Sequence, residues 1–130
     1  MTVSKFSDIN KLTEQIIGIA IGIHKQLGAG FVEKVYQRIL YLELKKTNLD
    51  IQREYKITIK WNKALIGYHI VDFMINDQVI IEIKATGETL DLHKYQLLSY
   101  LKASGKHLGL LLNFGTPTLG IKRVVNGFSQ

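Results

Sequence analysis

Residues 71–85 read VDFMINDQVIIEIKA, and the pairing register within this stretch decides the fold. VIIEIKA is an apolar run interrupted by Glu82 and Lys84. A strand sends alternate side chains to opposite faces, so Glu82 and Lys84 share one face and Val79, Ile81 and Ile83 the other. The preceding VDFMI is also strand-like, and Asn76-Asp77-Gln78 supplies turn residues between the two. A three-residue loop pairs Ile75 with Val79, Phe73 with Ile81 and Val71 with Ile83, all apolar. The same register sets Asp72 opposite Glu82. A two-residue loop would bring Val71, Phe73 and Ile75 to the face of Glu82 and Lys84. Register follows the hydrophobic pattern, so the three-residue loop is expected, with Asp72, Glu82 and Lys84 converging on one face.

Carboxylates directly opposite one another repel unless a cation sits between them. Oxygen ligands select Mg²⁺ or Mn²⁺ over zinc where no His or Cys is nearby. A lysine beside them can stabilise charge developing in a transition state. The residues alone leave a second reading open, in which Lys84 neutralises the pair in a surface ion network.

Working outward, IQREYKITIKW (51–61) alternates as a strand with one face more exposed, and Asn62-Lys63 can turn it into LIGYHIVDFMI. Arg53, Lys56, Lys60 and Lys63 form a basic edge, which also guards a sheet edge against pairing. Toward the N-terminus, residues 7–27 predict a helix capped by Ser7 or Asp8, with Ile9, Leu12, Ile16, Ile19, Ile23 and Leu27 as its stripe. LGAG breaks it. A second helix is expected over 31–46, with Phe31, Val35, Ile39 and Leu42 as its stripe. Beyond the central strands, a helix over 90–104 ends at Gly105. HLGLLLNF then reads as a buried strand and GIKRVVN as a short last one. The order is helix, helix, three-strand meander, helix, strand, strand. This is an α/β sandwich of mixed sheet and covering helices, expected to be a single domain over 1–130.

The 130 residues, 46% of them hydrophobic, are enough for a real core and argue against disorder. A net charge of +6 suits an anionic partner. The absence of cysteine removes disulfides, thiolate metal sites and a Cys nucleophile. MTVSKFSDIN lacks the apolar segment of a signal peptide. IIGIAIGI is far short of the ~20 residues a membrane span requires. A cytoplasmic location is expected.

Asp72 followed by Glu82-Ile83-Lys84 resembles the D…E-x-K signature of the PD-(D/E)xK nuclease superfamily. GFVEKVY (30–36) is similar to G-x-x-E-x-x-Y, which names the GxxExxY family within it. IHKQLGAG, IEIKA, HKYQLLSYLKASG and LGLLLNFG are similar to that family too, so the resemblance runs from about Leu12 to Asn126. It implies a core of helix, three strands, helix and strand, and Mg²⁺-dependent cleavage of nucleic acid, DNA above RNA. It further implies that Asp72 and Glu82 are metal ligands, with the Ile83 carbonyl as a third oxygen. Lys84 would be the catalytic lysine, Glu33 an upstream carboxylate toward the metal, and Gln96 a neighbour of the site on the third helix. Val71 stands where the superfamily pattern has proline.

Other polar residues have plainer readings. Tyr36 lies three residues after Glu33, on one helix face. Tyr100 is expected to pack and His24 to be structural, while His93 could touch a phosphate. Two other functions stay open beside the nuclease: a nucleic-acid binder that does not cleave, and a protein-interaction module with a vestigial site. A homodimer or a protein partner could supply the specificity that no segment of this chain visibly carries.

Overall fold

In a computed structural model of the chain, residues 3–88 and 91–127 are described, with side chains from residue 8 onward. Helices α1 (Val3–Leu27) and α2 (Glu33–Leu44) precede strands β1 (Ile51–Trp61), β2 (Ala64–Ile75) and β3 (Val79–Lys84). Helix α3 (Asp91–Ser104), β4 (Leu108–Asn113) and β5 (Gly120–Val125) follow. The five strands form one sheet in the order β1-β2-β3-β4-β5. All neighbours are antiparallel except β3 and β4. That parallel pair needs a crossover, and α3 is the crossover. The result is the mixed, helix-covered α/β fold expected from the sequence.

Both turns of the meander follow their residues. Asn62 and Lys63 have φ of 47° and 70°, and Asn76 and Asp77 both 53°, the left-handed values that close hairpins. Ile75 pairs with Val79 and Phe73 with Ile81, which is the three-residue loop. α3 ends as its last residues require. Gly105 has φ 72°, and the Lys106 N–H reaches the Leu101 carbonyl at 3.1 Å, a glycine-terminated helix end.

Two cores lie on either side of the sheet. Under α1 and α2, Ile16, Tyr36 and Leu40 meet Phe73, Ile81, Ile83 and Phe114. Under α3, Leu97 and Leu101 meet Ile57, Val71, Met74, Ile80 and Leu111.

Three expectations need correction, and a fourth falls outside the described residues. α1 already begins at Val3, so Ser7 and Asp8 lie inside it and do not cap it; no Gly or Pro stops the extra turn. α2 is shorter than 31–46 and buries Tyr36, Gln37, Leu40 and Leu44, while Phe31 and Leu42 are exposed. Apolar residues ring much of α2, so their spacing did not fix which side faces in. The position of Leu90, expected to open α3, lies outside the described residues. Last, Val71 does not pair with Ile83. It pairs with Tyr55 and packs under α3, whereas Phe73, two residues on, packs under α2. The strand changes face at Asp72, because the backbone groups that would continue the ladder are taken by side chains.

Candidate nuclease site

Asp72 sits where two ladders give out. β1 and β2 pair at Arg53–Phe73 and again at Tyr55–Val71, but not at the intervening Glu54 and Asp72. Glu54 has a left-handed φ of 54°, which is costly for a residue with a Cβ. On the other side, the pairing of β2 with β3 stops at Phe73–Ile81. Carboxylates bridge the gap. Asp72 Oδ2 accepts the Ile83 N–H at 2.7 Å, and Glu82 Oε1 accepts the Asp72 N–H at 3.0 Å. Each acid thus holds the backbone of the other's strand. From α2, Gln37 donates through Nε2 to Asp72 Oδ1 at 2.6 Å. The structure brings Asp72 and Glu82 together through these side-chain-to-backbone bonds, not through the Val71–Ile83 pairing expected from the sequence.

Burial makes this pair electrostatically expensive. Glu82 is only 8% exposed. Desolvation first, and the neighbouring Asp72 second, push its carboxyl up to about 8, against the pull of the Asp72 N–H and Lys84. Desolvation also raises Asp72, opposed by the Ile83 N–H, Gln37 and Lys84. Glu33, the first residue of α2, is raised by burial and by Asp72 and lowered by Lys84. Lys84 therefore acts on all three carboxylates that the sequence singled out. Its place is fixed by the strand end: the Phe114 N–H donates to the Lys84 carbonyl at 2.8 Å.

Several residues near the site gave little warning in the sequence. His69 lies flat on Tyr100, with ring centres 3.9 Å apart, and its Nε2 is 4.0 Å from Glu82 Oε2. That separation is too long for a hydrogen bond, and desolvation and then Lys84 hold the His69 pKa below its usual value, against a charged imidazolium. Tyr100 is pushed up by burial and by Glu82. Fully buried Asn113 accepts the Thr86 N–H at 3.1 Å and the Gly115 N–H at 3.0 Å, tying down the loop that follows Lys84. A Cβ on Gly115 would stand 2.4 Å from the Thr86 backbone, so no other residue fits there. Gln37 and His69 could have been suspected only from their neighbours, as polar residues beside Tyr36 and opposite Ile57.

The remaining candidates separate cleanly. Gln96 is exposed on α3, and among the described residues no hydrogen bond joins it to Asp72, Glu82 or Glu33. His93 is depressed by burial and by Lys84. Tyr36 is wholly buried; its hydroxyl donates to the Gly28 carbonyl at 2.6 Å and its ring stacks on Phe114. It therefore fixes the turn that sets Glu33 in place. His24 is structural, with Nε2 2.9 Å from the Thr116 carbonyl.

A divalent cation suits the chemistry of this donor set, because two hard oxygen ligands crowd together in a buried place that raises both their pKa values and that a positive charge would relieve. Among the described residues, however, no three His, Asp or Glu groups already stand in metal-holding geometry. Both Asp72 oxygens are occupied by N–H donors.

Residues 10–124 match the family description "PD-(D/E)XK nuclease superfamily". The crystal structure of SSO0001 is similar, with a TM-score of 0.58 and 22% identity over 74% of this chain. This chain covers 50% of that protein, so it spans about half its length, and the likeness is one of fold. No curated protein matches the chain. Among the described residues, no helix is long and apolar enough to cross a membrane.

Proposed function

The chain belongs to the PD-(D/E)XK nuclease superfamily, and on that premise we propose that it hydrolyses phosphodiester bonds in nucleic acid, DNA before RNA, with Mg²⁺ or Mn²⁺. We place it in the GxxExxY branch, on the strength of GFVEKVY (30–36). The observation that carries the reading is the carboxylate pair locked across the split between β2 and β3, with Lys84 beside it. In this reading Asp72, Glu82, the Ile83 carbonyl and Glu33 would hold the metal, which would supply charge neutralisation at the scissile phosphate. Lys84 donates to an oxygen on which negative charge grows. Gln37 and the Ile83 N–H aim Asp72, and His69, stacked on Tyr100, lies beside Glu82. Gln96 serves as a contact to substrate rather than to the acids.

The fully engaged Asp72 oxygens favour a second reading, a protein that binds nucleic acid without cutting it. One experiment separates the two: initial rates on single-stranded, duplex and branched DNA and RNA, with Mg²⁺, Mn²⁺ or EDTA. Lys84→Ala should lower cleavage by ~10²-fold or more while binding changes little. Asp72→Asn should lower activity and Mg²⁺ affinity together. Wild-type protein that binds DNA in a salt-dependent way and cuts none of these substrates would leave the binder standing.

A further inference from the structure

The paired strands β1 and β2 run well past the rest of the sheet. β3 pairs only with Phe73–Ile75 of β2, so residues 55–71 form a two-stranded arm. One face of this arm is accounted for: Tyr55, Ile57 and Val71 pack under α3, and His69 stacks on Tyr100 of α3. Alternation sends Lys56, Thr58, Lys60, Tyr68 and Ile70 to the other face. Leu65 joins them, since it pairs with Lys60. All six are exposed. Tyr68 is 60% exposed, Leu65 68% and Ile70 49%, a heavy apolar load for a surface. This face continues the one that α2 covers at Arg53 and Phe73, where Tyr41 packs on both. It becomes uncovered at the N-terminus of α2, where Lys34 meets Glu54 at 3.2 Å and where Asp72 lies.

Charge says what such a face fits. From Tyr55 to Val71 the chain carries Lys56, Lys60 and Lys63 and no Asp or Glu. The Lys56 ammonium stands 4.5 Å from the centre of the Tyr68 ring. An aromatic plate flanked by cations, on a stretch free of acids, is how sequence-tolerant proteins hold single strands: bases stack on the ring and phosphates meet the lysines. A duplex keeps its bases stacked inside and would leave Tyr68, Ile70 and Leu65 without partners. We propose that the exposed face of the arm is a track for single-stranded nucleic acid, with Tyr68 as stacking plate and Lys56 and Lys60 as phosphate contacts. This deepens the nuclease reading and rests on it for the direction of travel, toward Asp72, but the binding itself does not require cleavage.

The test uses the full chain and fluorescent oligonucleotides of dT and of U, with a duplex of equal length, followed by anisotropy across a salt series in EDTA. Wild type should bind the single strands more tightly than the duplex; the dT and U arms tell which sugar is preferred. Tyr68→Ala should weaken single-strand binding by about 5-fold or more. Lys56→Gln with Lys60→Gln should lower the slope of log affinity against log salt by roughly 1.4, two single-strand phosphate contacts. Sedimentation of the same samples gives the alternative occupant. No binding by wild type, unchanged affinity in both variants, or a wild-type dimer that Tyr68→Ala turns into monomer with oligonucleotide affinity intact would each overturn the proposal. If the variants lose binding while wild type cuts nothing in Mg²⁺ or Mn²⁺, the track stands and the nuclease reading falls.

Discussion

The two ends of β2 are one strand in two environments. From Phe73 to Ile75 it is paired on both sides and wholly buried. From Leu65 to Ile70 it pairs with β1 alone and carries its large side chains into solvent. Asp72 marks the change. The buried end has the residues a core demands, whereas the free end has residues that a core would use and that none of the described residues covers. A residue type that signals packing at one end of a strand can therefore signal recognition at the other; the neighbours in space decide between them.

The contrast breaks if truncation costs the same at both ends. Phe73→Ala should destabilise the protein by about 3–5 kcal/mol, and Tyr68→Ala by no more than ~0.5 kcal/mol, in urea melts of the two variants. Equal losses would mean the arm is as much a part of the core as the sheet centre. The boundary itself should respond to pH. Glu82 is raised from 4.5 to about 8 in the folded protein, so the native state holds its proton where the unfolded chain has lost it. That contribution is fully present below about 4.5 and disappears as pH rises through about 8. Metal-free protein should thus melt lower at pH 9 than at pH 6. Glu82→Gln should flatten this dependence, and a wild-type melting temperature that does not change between these pH values would contradict the buried acid.

A smaller effect is expected at Gln37. Gln37→Leu leaves one oxygen of buried Asp72 without its donor, a loss of about 1–3 kcal/mol, visible as a lower urea midpoint. No change would show that water replaces the amide without cost. The smallest effect belongs to Lys34→Ala. It removes a half-exposed pair with Glu54 that should contribute less than ~1 kcal/mol and fade in salt; a loss above that value would tie the strained Glu54 to the stability of the site.

Much of this was legible in the sequence for physical reasons. Apolar pairing was enough to set Ile75 on Val79 and Phe73 on Ile81, because a slip by one residue would have turned the apolar set away from the core. The left-handed turns at Asn62-Lys63 and Asn76-Asp77 and the glycine end of α3 are local, and local signals survive folding. The inward side of α2 was not legible, since Tyr36 and Gln37 are buried by partners far away in sequence, Phe114 and Asp72. Nor was the change of face at Asp72. Simple alternation assumes an unbroken ladder, and here carboxylates interrupt it. The clamp by Asn113 depends on two loops meeting, which no single segment encodes.

Those interrupted rungs also provide two built-in reporters. The amide protons of Asp72 and Ile83 are bound to carboxylate oxygens rather than to carbonyls. Anything that draws a carboxylate away, whether cation, proton or phosphate, must release or weaken the corresponding amide. In a nitrogen-labelled sample those two resonances should shift and their exchange with solvent quicken, while the flanking amides, fixed in ordinary ladders, stay still. Occupancy of the site can thus be followed by spectroscopy on the resting protein, without turnover.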